Sequence, residues 1–163
     1  MAKSFSDICE IIKTEPESHD ITSIIFQGPE GGRVVDWKPG QYGVIRVYRN
    51  GQWSEPHPFT LSCSPSRDNL QMTIKRQGDF TSSIPELRSG DKIKFSGPYG
   101  KFCQDIEEHD DIVMIAGGVG ITPFLSVLRH FLSIGASNRV TLFWANKTLD
   151  DVFAEEELKT MAA

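Results

Sequence analysis

The hydrophobic pattern of the chain changes once, near Asp110, and this change limits the fold more than any other feature. From Phe5 to Gly97, short runs rich in Val, Ile, Phe and Thr alternate with Gly, Pro and Asp, which is typical of antiparallel strands. After Asp110 the pattern becomes an apolar strand, a glycine-rich turn, an amphipathic helix and a second strand. The sequence therefore predicts an antiparallel β domain followed by a parallel α/β domain.

The first domain, residues 1–106, is predicted to be a six-stranded antiparallel barrel, because closure removes the exposed edges of such a sheet. A short helix is predicted at about residues 81–87. The predicted strands cover about 6–14, 19–27, 41–48, 57–62, 70–76 and 92–96.

The second domain, residues 107–163, is predicted to hold strands at Ile112–Ala116 and Val140–Trp144 and helices at Thr122–Ile134 and 151–163. Strands that are apolar on both faces belong to a sheet with helices on both sides. Two strands and two helices cannot cover both faces, and doubly wound dinucleotide domains carry about six strands. We therefore expect an incomplete nucleotide-binding domain, with the chain ending inside it.

Charge and composition exclude several classes of protein. The 163 residues hold 17 Lys and Arg against 22 Asp and Glu, so the net charge is −5 and no basic run favours nucleic acid. Apolar runs fall far short of the roughly 20 residues that cross a bilayer, and the polar start lacks a signal peptide's apolar core. Cys9, Cys63 and Cys103 are too far apart for a zinc or iron–sulfur site. We expect a cytoplasmic protein with three reduced thiols and no metal.

The segment Gly117-Gly118-Val119-Gly120-Ile121-Thr122-Pro123 follows a buried strand and opens a helix, as a phosphate-binding turn does. Its glycines allow close approach to the backbone, and Pro123 suits a first helical turn. Pro123 also replaces the third glycine of G-x-G-x-x-G, so a purely structural strand-to-helix turn is the alternative.

Two clusters in the barrel have a ligand interpretation. In His57-Pro58-Phe59-Thr60-Leu61-Ser62, the hydroxyls of Thr60 and Ser62 share one strand face, beside an aromatic ring, which suits a flat heterocycle. A half-buried edge strand explains that pattern equally well. In Lys75-Arg76-Gln77-Gly78-Asp79-Phe80-Thr81-Ser82-Ser83, basic side chains and hydroxyls converge near a helix N-terminus and favour a pyrophosphate. The alternative there is an N-capped helix beside a solvated strand end.

Together these motifs resemble the ferredoxin–NADP reductase-like flavoprotein superfamily, in which an FAD-binding barrel precedes a pyridine-nucleotide domain. His57-Pro58-Phe59-Thr60 stands at the family's Arg-x-Tyr-Ser motif. The Gly97-Pro98-Tyr99-Gly100-Lys101-Phe102 segment is similar to the family motif at the end of the barrel. The second flavin motif of the family is matched by Lys75, Arg76, Gly78, Thr81 and Ser82.

The resemblance implies that Phe59 and Thr60 contact the isoalloxazine of FAD, with the catalytic Thr60 hydroxyl near the ring nitrogen that accepts hydride. It implies that Thr81 and Ser82 hold the FAD pyrophosphate, while the glycine turn places NAD or NADP. The complete set of expected cofactor-binding residues is His57, Pro58, Phe59, Thr60, Ser62, Lys75, Gly78, Thr81, Ser82, Gly117, Gly118, Gly120, Thr122 and Pro123.

Two departures from the family pattern bear on function. His57 replaces the family's arginine. The His-Pro-Phe-Thr form is similar to that of the flavin domains of ferric reductases and NADPH oxidases, but the haem-binding transmembrane helices of those proteins are absent here. The family's later Cys-Gly-Pro segment has no counterpart. Ala145-Asn146-Lys147 offers no carboxylate for a ribose 2′-hydroxyl, while Lys147 could meet a 2′-phosphate, so NAD and NADP both stay open.

The resemblance implies an FAD-dependent oxidoreductase that passes electrons between NAD(P)H and a protein or small-molecule acceptor, as a fragment or truncated form. One alternative is an FAD-binding electron-transfer module that needs a partner and has no NAD(P)H turnover of its own. Another is a noncatalytic remnant of the fold.

Overall fold

The computed structural model describes residues 5–162, and within this range the chain forms nine strands and three α-helices. Short 3-10 turns lie between several of them, at residues 29–31, 84–86, 106–108, 118–121 and 149–151. In chain order the elements are β1 (Phe5–Pro16), β2 (Ile21–Gln27), β3 (Tyr42–Arg49), β4 (Gln52–Trp53), β5 (His57–Thr60), β6 (Leu70–Lys75), α1 (Asp79–Ser82), β7 (Lys92–Tyr99), β8 (Asp111–Gly117), α2 (Thr122–Ile134), β9 (Arg139–Ala145) and α3 (Glu155–Ala162).

Strands β1 to β7 form one antiparallel sheet in the order β4-β3-β7-β1-β2-β6, and β5 also pairs with β3. The sheet closes where β5 leads into β6. Leu61 bridges to Met72, and the amide of Ser62 donates to the carbonyl of Gln71 at 2.8 Å. The predicted six-stranded antiparallel barrel is confirmed, since β4 only extends one edge of β3.

The barrel interior is filled by alternate residues of its strands, because successive side chains of a strand point to opposite faces. Phe26 and Phe95 are fully buried, with ring centroids 5.6 Å apart. The predicted turn at Asn50-Gly51 has positive φ at both residues, as tight hairpin turns require. It pairs β3 with β4, a two-residue strand too short to leave a hydrophobic pattern in the sequence.

The second domain contains the predicted βαβ unit, with β8 and β9 parallel and Ile115 opposite Phe143. Helix α2 has the predicted bounds, with Pro123 in its first turn and a left-handed Gly135 after its end. The predicted start of the last helix at Asp151 is wrong, because Asp151 ends a 3-10 turn that Thr148 caps, and α3 begins at Glu155. Its predicted end, residue 163, lies outside the described residues.

The parallel sheet is covered on one face only by the described residues. On the covered face, Met114 is buried against α2, while Trp144 and α3 share a neighbouring apolar cluster. On the other face the side chains of Val113, Ile115 and Phe143 are 66%, 75% and 59% exposed. This agrees with the expectation that two strands and two helices cannot cover both faces of the sheet, since α2 and α3 pack on the same face.

An apolar contact joins the barrel to the second domain. Ile21, the first residue of β2, is buried in one cluster with Ile121, Leu125 and Phe153. Burial of a side chain of this size contributes about 1.5–3 kcal/mol, so the contact stabilises the packing of the domains. Of the helices described, none is long and apolar enough to span a membrane.

Candidate functional site

The two barrel clusters singled out in the sequence meet through an aromatic stack. The imidazole of His57, on β5, lies flat against the ring of Phe80, on α1, with centroids 3.6 Å apart and planes 14° from parallel. The ring of Phe59 lies nearly parallel to that of Phe80, at 6.2 Å. Sequence reasoning did not select Phe80, although it stands between Gly78 and Thr81, inside the pyrophosphate motif.

The residues of β5 differ in their access to a ligand. His57, Phe59 and Thr60 are half-buried and Pro58 is exposed, so all four reach the surface. Ser62 is fully buried, and its hydroxyl lies 2.9 Å from the hydroxyl of Thr73. The predicted cofactor contact of Ser62 does not match this burial, because the chain has already turned into the barrel wall at Leu61.

The start of α1 presents backbone amides and hydroxyls to open space. Gly78 has φ of 93°, which favours glycine, and a Cβ there would meet no atom within 4 Å. The Thr81 hydroxyl accepts a hydrogen bond from the amide of Gln77 at 2.6 Å and donates to the carbonyl of Gly78 at 3.2 Å. Helix geometry leaves the first amides of α1 without acceptors inside the helix. Open space, these amides and the exposed Ser82 fit a pyrophosphate.

Lys75 is held by carboxylates from both domains. Its amine lies 3.1 Å from Asp20 and 3.6 Å from Asp151, and the hydrogen bond to Asp20 is the main cause that raises the pKa of Lys75. The pKa of Asp151 is lowered, chiefly by the hydrogen bond from the Thr148 hydroxyl. The sequence places Lys75 in the pyrophosphate site, whereas the structure commits its charge to these ion pairs.

The glycine turn between β8 and α2 has open space at each of its three glycines. A Cβ at Gly117, Gly118 or Gly120 would meet no atom within 4 Å, and Gly118 has φ of 48°. The indole N–H of Trp144 donates to the carbonyl of Gly118 at 2.8 Å and so fixes the turn. Sequence reasoning missed this role, because the bond spans 26 positions of the chain.

Two aromatic contacts lie at the end of β7 and just after it. Tyr42 and Tyr99 lie with ring centroids 5.6 Å apart, and a Cβ on Gly100 would come within 3.2 Å of the Tyr42 ring. Phe102 contacts Phe124 of α2, also at 5.6 Å. The segment after β7 therefore connects the barrel to the helix that follows the glycine turn.

Comparison with known families agrees with this geometry. Residues 9–103 match the model of an FAD-binding domain, and residues 114–163 match that of an oxidoreductase NAD-binding domain. The chain is 33% identical over 148 residues to the sulfhydrogenase 2 gamma subunit of Pyrococcus furiosus, covering 90% of this chain and 50% of that protein. It is 35% identical over 127 residues to the flavohemoprotein of Rhizobium meliloti, covering 72% of this chain and 31% of that protein.

Among solved structures, the flavohaem-like FAD/NAD-binding domain of nitric oxide dioxygenase from Vibrio cholerae has the same fold. The TM-score is 0.85 at 24% identity, covering 96% of this chain and 69% of that one. The chain thus spans half or less of both curated relatives described above. An FAD-binding barrel followed by NAD-binding sequence places the chain in the ferredoxin–NADP reductase-like flavoprotein oxidoreductases.

Proposed function

We propose that this chain is the FAD-carrying part of an oxidoreductase that moves electrons between NAD(P)H and a separate acceptor. The observation that carries the proposal is the stack of His57 on Phe80, which joins the two flavin motifs on one surface. Bound FAD supplies the hydride and electron chemistry. The protein's own task is to hold the flavin, orient the nicotinamide beside it and keep both in place.

The proposed flavin site uses side chains that reach this surface. Phe59 and Thr60 line the position of the isoalloxazine, and the Thr60 hydroxyl is the proposed hydrogen-bond partner of the hydride-accepting ring nitrogen. His57 binds the cofactor beside them, on the same strand. Thr81, Ser82 and the amides of α1 take the pyrophosphate. Gly78 leaves open space for the pyrophosphate. Pro58 lies between His57 and Phe59 on β5 and completes the proposed flavin-binding segment.

The proposed nucleotide site is the glycine turn. Gly117, Gly118 and Gly120 would lie against the phosphates and the nicotinamide of NAD or NADP, and Pro123 starts the helix behind them. The Thr122 side chain is buried, so its expected contact with the nucleotide reduces to its backbone. We place the boundary between the flavin and nucleotide domains at residues 106 and 107, within the 3-10 turn before β8.

A second candidate is an FAD-binding module that works only with a partner. The uncovered face of the parallel sheet favours this candidate. Val113, Ile115 and Phe143 are exposed there, and a bound partner would remove their apolar area from water. The relative from Pyrococcus furiosus is named as a subunit. The electron acceptor in either case is a redox protein or a small molecule.

The proposed location is the cytoplasm. The three free cysteines agree with it, because thiols stay reduced in that compartment.

Flavin extraction and turnover test the proposal together. The purified protein should be yellow and release FAD, and FMN or no flavin would contradict the proposed pyrophosphate site. Steady-state oxidation of NADH and NADPH with an artificial acceptor then separates the candidates. Turnover supports the oxidoreductase, whereas tight FAD binding without turnover supports the module that needs a partner.

A further inference from the structure

Helix α2 is attached to the barrel by a row of polar side chains. Ser126, Arg129 and Ser133 are three and four residues apart, so they share one face of the helix. Each contacts a different one of three consecutive barrel residues, which follow β5. We call these six residues, Ser62, Cys63, Ser64, Ser126, Arg129 and Ser133, the polar seam.

Each helix residue of the polar seam makes one contact with the barrel. The Ser126 hydroxyl donates to the carbonyl of Cys63 at 3.0 Å, and a guanidinium N–H of Arg129 donates to the carbonyl of Ser62 at 2.7 Å. The hydroxyls of Ser133 and Ser64 are 3.1 Å apart. Three contacts to successive residues fix both the translation and the rotation of α2 against the barrel.

Arg129 is the member of the seam that joins three elements. Its Nε and Nη2 donate to the two carboxylate oxygens of Glu157 on α3, each at 2.7 Å, while Nη1 reaches Ser62. Only 18% of the Arg129 side chain is exposed. A charge this buried needs a hydrogen-bonded counterion, and the planar guanidinium serves the carboxylate and the carbonyl at once.

The barrel side of the seam is itself held in place. The Ser62 hydroxyl lies 2.9 Å from that of Thr73, which lies 2.8 Å from that of Ser23. Ser23 in turn donates to the carboxylate of Glu17 at 2.6 Å. Ser62, Thr73 and Ser23 are buried, so this chain of hydrogen bonds limits the movement of the carbonyl that Arg129 binds.

The seam connects the two elements of the chain that lead to the two halves of the proposed site. Ser62 follows Thr60 by two residues, and α2 begins where the glycine turn ends. We propose that Arg129 is a positioning residue, which holds the glycine turn at a fixed distance and angle from Thr60 by bonding the barrel through Ser62 and α3 through Glu157. This inference rests on the proposed function, since the rings held in this way are those of FAD and the nicotinamide.

A positioning role has a specific kinetic consequence. A displacement of about 1 Å between reacting groups can slow a reaction by about a hundredfold, even when both partners still bind. Loss of Arg129 should therefore slow flavin reduction while changing the affinity for FAD little. A residue that served only stability would lower the melting temperature and leave the reduction rate of the folded protein unchanged.

The test uses the full-length, FAD-loaded protein with Arg129→Lys, Arg129→Met and Glu157→Gln. Arg129→Lys keeps the charge, but a single amine cannot reproduce the planar guanidinium that binds the carboxylate and the carbonyl at once. Glu157→Gln leaves the hydrogen bond between Arg129 and the Ser62 carbonyl available. The matched control is Arg139→Met, because Arg139 makes the same two-bonded pair with Asp111 at 2.7 Å on the exposed surface. The readouts are anaerobic flavin reduction by NADH or NADPH, the long-wavelength absorbance of stacked nicotinamide and flavin, FAD affinity and amide exchange.

With Arg129→Met we expect limiting flavin reduction to slow by about tenfold or more and the stacking absorbance to weaken, with FAD affinity within about threefold of wild type. Arg129→Lys should be intermediate, and Arg139→Met should match wild type. Amide exchange at residues 118–121, measured without dinucleotide, should rise in the Arg129 variants only.

Reduction within about twofold of wild type in folded Arg129→Lys, together with unchanged exchange at 118–121, would overturn the positioning role. Should Arg129→Met fail to fold, Arg129→Lys still decides the question. Failure of the proposed function is distinguishable, because the wild-type protein would then bind no FAD or would not be reduced by NAD(P)H.

Discussion

The imidazole of His57 lies flat on the ring of Phe80, so the strand and the helix that carry the two flavin motifs are joined by a direct contact. The contact explains how residues more than twenty positions apart can act on one ligand. It also gives His57 a partner in the protein itself.

Phe80→Ala should weaken FAD binding by about two- to thirteenfold, since a stacked aromatic pair contributes roughly 0.5–1.5 kcal/mol. The loss acts by loosening His57 and the start of α1. Fluorescence titration of the apoprotein with FAD measures the effect, with Phe80→Tyr as the control that keeps the ring. An unchanged dissociation constant in Phe80→Ala would separate the stack from the flavin site.

Thr81→Ala combined with Ser82→Ala should weaken FAD binding by about 1.5–3 kcal/mol, the range for hydrogen bonds to a charged group. Thr81→Ala alone should also lower the melting temperature, because its hydroxyl holds the amide of Gln77. Ser82→Ala, at an exposed position, should change affinity with little effect on melting. Equal FAD affinity in the double variant and wild type would remove both residues from the site.

Trp144→Phe should weaken dinucleotide binding by about 0.5–1.5 kcal/mol, the net contribution of one hydrogen bond, because the carbonyl of Gly118 loses its donor. The flavin site lies on the barrel, so FAD affinity should stay at the wild-type value. Titration of the flavin-loaded full-length protein with NAD or NADP gives both numbers. An effect on FAD as large as that on the dinucleotide would show general unfolding of the domain instead.

Asp151→Asn should lower the melting temperature at neutral pH, and the difference from wild type should shrink in acid. The pKa of Asp151 is lowered in the folded protein, chiefly by the Thr148 hydrogen bond, with Lys75 adding to it. Such a carboxylate stabilises the fold fully at pH values above its ordinary pKa of about 3.9. The stabilisation is lost as the pH falls from there through the lower pKa of the folded protein.

Melting curves between pH 7 and pH 3 measure this dependence, and the exposed neighbour Asp150→Asn is the control. A melting difference that stays constant down to pH 3 would mean that the Asp151 charge does not stabilise the fold.

Ile115→Thr together with Phe143→Thr should reduce self-association of these 163 residues, because the two opposed side chains dominate the uncovered sheet face. Threonine keeps the strand preference while removing apolar area. Sedimentation velocity over a range of concentrations measures the change. Ile8→Thr, on the barrel, is the control and should leave association unchanged. A wild-type chain that stays monomeric at high concentration would contradict the prediction.

The strands and α2 could be predicted from sequence because their signals are local. Alternation of apolar and polar residues marks β7, and Pro123 with Gly135 marks both ends of α2. The predicted start of α3 is wrong because Thr148 and Asp151 cap a separate 3-10 turn. Their side-chain hydrogen bonds to the backbone compete with helix formation by the same acidic residues.

The site was only partly predictable, because several of its contacts depend on the closed barrel. Arg129 and its acceptor Ser62 are 67 positions apart, and nothing near either residue indicates the other. Trp144 reads as one more apolar strand residue until Gly118 is seen beside it. Ser62 and Lys75 carry suitable chemistry, but barrel closure buries the first and ion pairs engage the second.

The two hydrogen bonds that Ser126 and Arg129 donate to the barrel end on main-chain oxygens, those of Cys63 and Ser62. Every amino acid brings the same carbonyl to the chain, so substitutions at position 63 leave the acceptor in place. The donors have no such substitute, since few side chains reach so far with the same groups. Selection for this joint should therefore fall on positions 126 and 129, whereas position 63 is constrained by its own burial in the barrel core and not by the hydrogen bond that its carbonyl accepts.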